Sequence, residues 1–207
     1  MTAETLDVPL TPPSGGQVLH ASELATVIWG DCRDPQVIAR VPAGYGLLAT
    51  DPPYGVNYRS NRGQNFDLIA GDDGSVDWPT VLAEWVGPDG THSRGLANNR
   101  HVYVFGYRPE DLEAPLRLGS TAEMVWDKEL TGMGDLSLPW GPGHERFVFG
   151  VHVKGKVGRE AGGGRLSARL RRGSVVRYPR PNASGVTRHS TEKPVPLMAQ
   201  LIESSTV

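Results

Sequence analysis

The chain has 207 residues, 38% hydrophobic and 21% charged, with 26 Gly, 17 Pro, a single Cys and a formal net charge of −2. That composition fits one soluble domain or most of one, and it excludes a coiled coil, a collagen and a helical membrane protein, since no run approaches the roughly 18 apolar residues a spanning helix needs. Cys32 alone cannot make an internal disulfide or a Cys-rich zinc site, and the start is acidic and proline-rich rather than signal-like, so a cytoplasmic protein is expected.

The small net charge conceals a division. Residues 1–153 carry 10 basic against 20 acidic side chains, and residues 154–193 carry 11 basic against only Glu160 and Glu192, so the two regions stand at −10 and +9. A basic block of that density has the electrostatic footprint of a polyanion contact, with a solvated loop as the plain alternative.

In chain order, residues 1–17, with Pro9, Pro12, Pro13, Gly15 and Gly16, have the composition of a flexible tail. Short β-branched or aromatic runs then predict five buried strands, at Thr26–Trp29, Leu47–Thr50, His101–Phe105, Glu123–Trp126 and Phe147–Val151. Gaps of roughly 20 to 50 residues between them leave room for crossover helices at Pro79–Val86 and Pro109–Leu118, which favours an α/β sheet over hairpins. Residues 18–153 thus form the main part of a domain. Residues 154–188, with three consecutive glycines and many arginines, predict a loop-rich basic insert. Over residues 189–207, Pro194, Leu197, Met198, Leu201 and Ile202 fall at helical spacing, with prolines tolerated in the first turn.

The stretch that carries chemistry is Leu47-Leu48-Ala49-Thr50-Asp51-Pro52-Pro53-Tyr54-Gly55. An apolar strand running into Asp-Pro-Pro-Tyr puts a carboxylate and an aromatic ring at the carboxyl end of a sheet strand, where open α/β sheets bind ligands. The prolines stiffen the backbone between them. A planar substrate with an exocyclic amine can be held by the Asp51 carboxylate and the Pro52 carbonyl while Tyr54 stacks on its face. The alternative is a rigid strand-to-turn connection whose aspartate merely begins the turn. No zinc-protease spacing follows His144-Glu145, and neither a phosphate loop nor a nucleophile elbow occurs, so no metal site is expected.

Asp51-Pro52-Pro53-Tyr54 resembles the Asp/Asn/Ser-Pro-Pro-Tyr/Phe signature of the amino-group DNA methyltransferases, which modify adenine N6 or cytosine N4. Gly30-Asp31-Cys32 is similar to the Gly-Asp turn that precedes their catalytic strand. Trp126-Asp127-Lys128, Gly132-Met133-Gly134 and His144-Glu145 resemble their Trp-x-Lys, Gly-rich and His-Glu run. His189-Ser190-Thr191-Glu192-Lys193-Pro194 resembles their His-x-x-Glu-Lys-Pro element. The order of these segments, covering roughly residues 26–205, resembles the permuted β group.

The resemblance implies a Rossmann-like, S-adenosylmethionine-dependent sheet. It implies methyl transfer to an amine of a flipped base in double-stranded DNA, with adenine favoured by Asp at the first position. Asp51, Pro52, Pro53 and Tyr54 would be catalytic. Asp31, Glu192, Lys193 and Pro194 are the candidates for cofactor contact, each with a plain alternative as a cap or surface charge. Arg165, Arg169, Arg171, Arg172, Arg177 and Arg180 of the insert would contact DNA. In the β group a strand and a Phe-x-Gly-x-Gly turn follow the Glu-Lys-Pro helix and floor the cofactor site, and no other glycine cluster of this sequence has that strand–turn–helix order. The expectation is therefore a sheet incomplete at its cofactor half and inactive alone. Three origins remain open: a truncated methyltransferase, a split one completed by a second polypeptide, or a non-catalytic DNA-binding remnant.

Overall fold

A computed structural model describes residues 11–55, 69–87, 95–130, 137–154, 172–181 and 192–205. The chain forms two compact units, Met1–Pro42 and Ala43–Val207. Among the described residues no helix is long and apolar enough to cross a membrane.

In the first unit β1 (Gln17–Ala21) and β2 (Thr26–Trp29) pair antiparallel, followed by α1 (Pro35–Ile38). From Pro13 on, the expected tail is a turn, closed by Gly16 N–H on the Pro13 carbonyl at 2.9 Å, before β1 begins. Asp34 staples the unit: its Oδ1 caps Gln36 N and its Oδ2 accepts from Gly15 N, both at 2.8 Å. The Thr26–Trp29 strand was expected in the main sheet. It lies instead in this separate two-stranded sheet, its first two residues exposed, because Gln17–Ala21 offers a hairpin partner across a short turn.

The second unit is a mixed α/β arrangement around a curled sheet of five strands: β3 (Tyr45–Thr50), β4 (Leu96–Phe105), β5 (Leu118–Asp127), β6 (His144–His152) and β7 (Val175–Arg177). Their order is β3-β4-β6-β5-β7, with β3–β4 and β5–β7 parallel and both β6 pairings antiparallel. Gaps of the length between β5 and β6 favoured crossovers over hairpins, yet these two are not related by a crossover. The two strands are antiparallel neighbours, paired from Leu118↔His152 to Asp127↔His144.

The period of two along β4 builds both cores. Val102 and Val104 pack with Leu82 and Val86 of α2 (Trp78–Val86), Leu112 of α3 (Pro109–Leu112), Leu116 and Val148. Tyr103 and Phe105 join Phe147, Trp126, Val176, and Leu197 and Leu201 of α4 (Val195–Glu203) on the second core. Phe105 stacks on Phe147 with ring centroids 4.7 Å apart. The helix expected over Pro109–Leu118 stops at Leu112. Arg117 turns left-handed (φ +53°) and Leu118 N–H reaches back to the Glu113 carbonyl at 2.9 Å, a helix-terminating turn that frees Leu118 to start β5. β7 lies inside the basic region expected to be loop, held because Val176 is buried and Trp126 Nε1 donates to the Tyr178 carbonyl at 2.7 Å.

Two histidines are locked inside. His152 is fully buried with Nδ1 2.8 Å from the Leu116 carbonyl, and His101 Nδ1 lies 2.9 Å from Ser205 Oγ. Burial, with positive neighbours adding, holds both imidazoles below their ordinary pKa. Unfolded histidine binds a proton near about pH 6.5 and the folded one does so only at lower pH. Their stabilisation is complete above about 6.5 and is lost as pH falls through the folded values. Thermal melts between pH 8 and 5 should show Tm falling on the acid side, and His152→Gln should flatten the fall; an unaltered slope in the variant would contradict this.

Candidate active site

β3, β4, β5 and β7 run one way and β6 the other, so the carboxyl ends of four strands share one edge with the amino end of β6. Asp51 follows β3 directly, Gly106 follows β4, Lys128 follows β5, Tyr178 follows β7, and His144 and Glu145 open β6. Lys193 precedes α4, whose buried Leu197 and Leu201 lie on the Tyr103–Phe105 core. Segments up to 142 residues apart thus meet at one sheet edge.

An alternating chain of charges joins them. Lys193 Nζ donates to Asp51 Oδ2 at 2.6 Å and lies 3.3 Å from Glu145 Oε2, while Lys128 Nζ donates to Glu145 Oε1 at 2.9 Å. The side chains of Lys193 and Lys128 are only 9% and 11% exposed, so each ammonium has lost most of its water and depends on these partners. Aromatic faces replace part of that hydration, with Lys193 4.9 Å from the Phe105 ring centroid and Lys128 5.1 Å from that of Trp126.

The Asp-Pro-Pro-Tyr turn is fixed from three sides. Buried Asp72 accepts from Tyr54 N at 3.0 Å and Gly55 N at 2.9 Å through one oxygen. Tyr107 donates to the carbonyl of Pro53, 3.2 Å away, and not to that of Pro52; burial, with nearby aspartates adding, pushes the Tyr107 phenol up to about 12, so it stays a donor. The Tyr54 ring packs on the backbone of Gly106, which has φ +81°, and its hydroxyl donates to Asp51 Oδ1. Burial, and after it the Asp51 charge, raises the Tyr54 phenol far above its ordinary range. Asp51 is therefore an acceptor whose two oxygens are both bonded, one by a neutral hydroxyl and one by an ammonium.

No protein-family model and no curated protein matches the chain.

Of the residues singled out in the sequence, Asp51, Pro52, Pro53, Tyr54 and Lys193 come together at this edge. Pro194 is the buried N-cap residue of α4 and Glu192 is exposed. Asp31 belongs to the first unit, where Arg33 chelates its carboxylate at 2.6 Å and holds its pKa below the usual value. Among the arginines, Arg165, Arg169 and Arg171 lie outside the described residues. Arg172 pairs with Glu203 at 3.5 Å, Arg177 on β7 pairs with Asp127 at 3.1 Å, and Arg180 follows β7 half-buried. Such surface pairs are weak. Asp72, Tyr107 and Gly106 were missed as site residues. The only signal for Asp72 was its place in Gly71-Asp72-Asp73-Gly74, a glycine-flanked acidic turn.

Two of the candidates for cofactor contact are engaged by other side chains. Lys193 is committed to two carboxylates and Asp31 to Arg33, and the glycine that follows β4 receives the Tyr54 ring rather than open space. Isothermal titration of this chain alone with S-adenosylmethionine should give no binding heat. Saturable one-to-one heat would place the cradle within the chain.

Proposed function

We propose that this chain carries the amine-binding part of an S-adenosylmethionine-dependent DNA methyltransferase, with adenine N6 the favoured acceptor. What supports the reading is the convergence of Asp51–Tyr54, Trp126–Lys128, His144–Glu145 and Lys193–Pro194 at one sheet edge, four of the segments on which the resemblance rests; Gly30-Asp31-Cys32 belongs to the first unit, and Gly132–Gly134 and His189–Thr191 lie outside the described residues. The donor cradle belongs to residues outside those described or to a second polypeptide.

On this reading the chain's own residues orient the amine. Its lone pair is delocalised into the ring, which makes it a poor nucleophile. Hydrogen bonds from the two amino hydrogens to the Asp51 carboxylate and the Pro52 carbonyl favour a tetrahedral nitrogen with the lone pair localised. Positioning of this kind supplies up to ~7–11 kcal/mol of barrier lowering. The base must first leave the duplex at a cost of a few kcal/mol, and Tyr54 supplies the replacement stack. Asp72 and Tyr107 keep the turn rigid while this happens.

The basic segment from 154 onward supplies the DNA contact. If about five of its arginines meet phosphates, affinity for duplex DNA should fall on the order of 10²- to 10³-fold between about 50 and 200 mM salt. Fluorescence anisotropy would measure this, and a flat salt response would count against a DNA interface.

One observation favours a second reading. Both Asp51 oxygens are bonded internally, as they would be in a non-catalytic DNA-binding protein that keeps the turn for its ion pairs. The two readings separate when the protein, captured with its partners from its own cells, is given duplex DNA and methyl-labelled S-adenosylmethionine. Label on adenine N6 that vanishes in Asp51→Ala supports methyl transfer. No label with the unaltered protein favours the second reading.

A further inference from the structure

The Lys193–Asp51 contact poses a problem that Glu145 answers. Each Asp51 oxygen already carries one hydrogen bond, from Tyr54 on Oδ1 and from Lys193 on Oδ2, so an amine that donates to Asp51 must share an oxygen with one of them. Glu145 Oε2 is buried and receives no hydrogen bond among the described residues, although Lys193 Nζ is only 3.3 Å away in an ion pair. A buried carboxylate oxygen without a hydrogen bond costs free energy that a small movement of a nearby donor recovers. Lys128 already fixes the other oxygen, so Glu145 is held in place and its Oε2 stays turned to Lys193.

The geometry points to a hand-over: Lys193 is a two-position positioning residue that caps Asp51 Oδ2 at rest and moves to Glu145 Oε2 when a substrate amine takes Asp51. Glu145 is the receiving acceptor and Lys128 its anchor. The ammonium moves between two carboxylates and never has to enter water, which matters for a side chain 9% exposed beside the Phe105 ring. The same arrangement gives selectivity for donors. A group that brings two N–H bonds toward Asp51 and the Pro52 carbonyl replaces what Asp51 loses, whereas a ligand with acceptors alone leaves Lys193 where it is.

This inference rests on the amine-methylation reading, and two measurements keep the two separable. The first needs no activity. Asp51→Asn keeps the shape of the side chain but removes its charge, imitating a carboxylate already engaged. A crystal structure of that variant should show Nζ of Lys193 about 2.8 Å from Glu145 Oε2, the usual length of an ammonium–carboxylate bond. Nζ remaining on residue 51, or turned to solvent, overturns the hand-over.

The second measurement is kinetic, on the protein captured with its partners. Glu145→Gln weakens the receiving position, so KM for DNA should rise roughly 10-fold with kcat little changed, the signature of lost binding rather than lost chemistry. The double variant Glu145→Gln/Lys193→Met has no Lys193 ammonium to displace, while Lys128 lacks its carboxylate in both variants, so KM should fall at least about threefold below that of Glu145→Gln. A merely structural role predicts lower kcat in Glu145→Gln and a further loss in the double variant, and that result sinks the proposal. If Lys193 moves in Asp51→Asn but no methylation is ever found, the hand-over stands and the reading of the site fails. If methylation is found and Lys193 does not move, the reading stands and the hand-over fails.

Discussion

Asp51→Ala should reduce methyl transfer by at least about 10²- to 10³-fold, the loss seen when one preorganised hydrogen-bonding group is removed from an active site, while leaving DNA affinity nearly unchanged. The separation follows from where the groups sit. Asp51 lies at the end of β3 among Tyr54, Lys193 and Glu145, whereas the described arginines of the basic segment lie on and around β7, at the opposite end of the strand order. The substitution should also be tolerated by the fold. Lys193 loses its 2.6 Å partner but keeps Glu145, and an ammonium with one carboxylate left is far less costly than a bare one. A measured loss of stability as large as the roughly 3–5 kcal/mol of a broken buried pair, with activity lost only through unfolding, would show that Asp51 serves the fold rather than the amine.

The second large effect is expected at Gly106. A Cβ there would stand 2.1 Å from the Tyr54 ring, and φ of +81° is a conformation an L side chain adopts only with strain. The left-handed backbone costs about 1–2 kcal/mol and overpacking about 1–3 kcal/mol, so Gly106→Ala should destabilise by roughly 2–5 kcal/mol. It should also drive Tyr54 off its seat and break the hydroxyl contact to Asp51. Gly150→Ala is a fitting comparison: its Cβ would meet the buried Leu118 side chain, with Cδ1 at 2.6 Å, but φ there is unexceptional, so only the overpacking cost applies. Denaturant melts of the two variants and the Tyr54 ring resonances would measure the difference. Equal, small effects from both, with the Tyr54 resonances unmoved, would contradict the packing described.

Four of the five strands of the second unit were legible because their apolar runs are continuous, and α4 was legible from its helical spacing. The order of the strands was not. Nothing local in His144–His152 says that it slips between β4 and β5, since pairing is decided by which faces bury together, such as Phe105 on Phe147. The end of α3 was misjudged because Leu112 and Leu116 keep helical spacing through a terminating turn that a left-handed arginine makes, and arginine carries no such signal. β7 escaped notice because three residues among arginines show no period.

At the site, the turn Asp51–Tyr54 could be read from its own chemistry, and Lys193 from its neighbours. That Lys193 meets Asp51 could not be, because the contact spans 142 positions and depends on α4 docking over Tyr103 and Phe105. Asp72 was invisible for a related reason. Its role is to accept two backbone N–H groups of the Asp-Pro-Pro-Tyr turn, and a residue that serves another segment's backbone leaves no pattern in its own.

The most direct test of the account replaces Asp51 with alanine at the chromosomal locus and maps N6-methyladenine across the genome base by base, so that whatever else completes the site is present in its native amount. The prediction is that methylation disappears from one class of recognition sequence and persists at all others. A methylation map identical to that of the unaltered strain would contradict the claim that the Asp51 carboxylate holds the amine that is methylated.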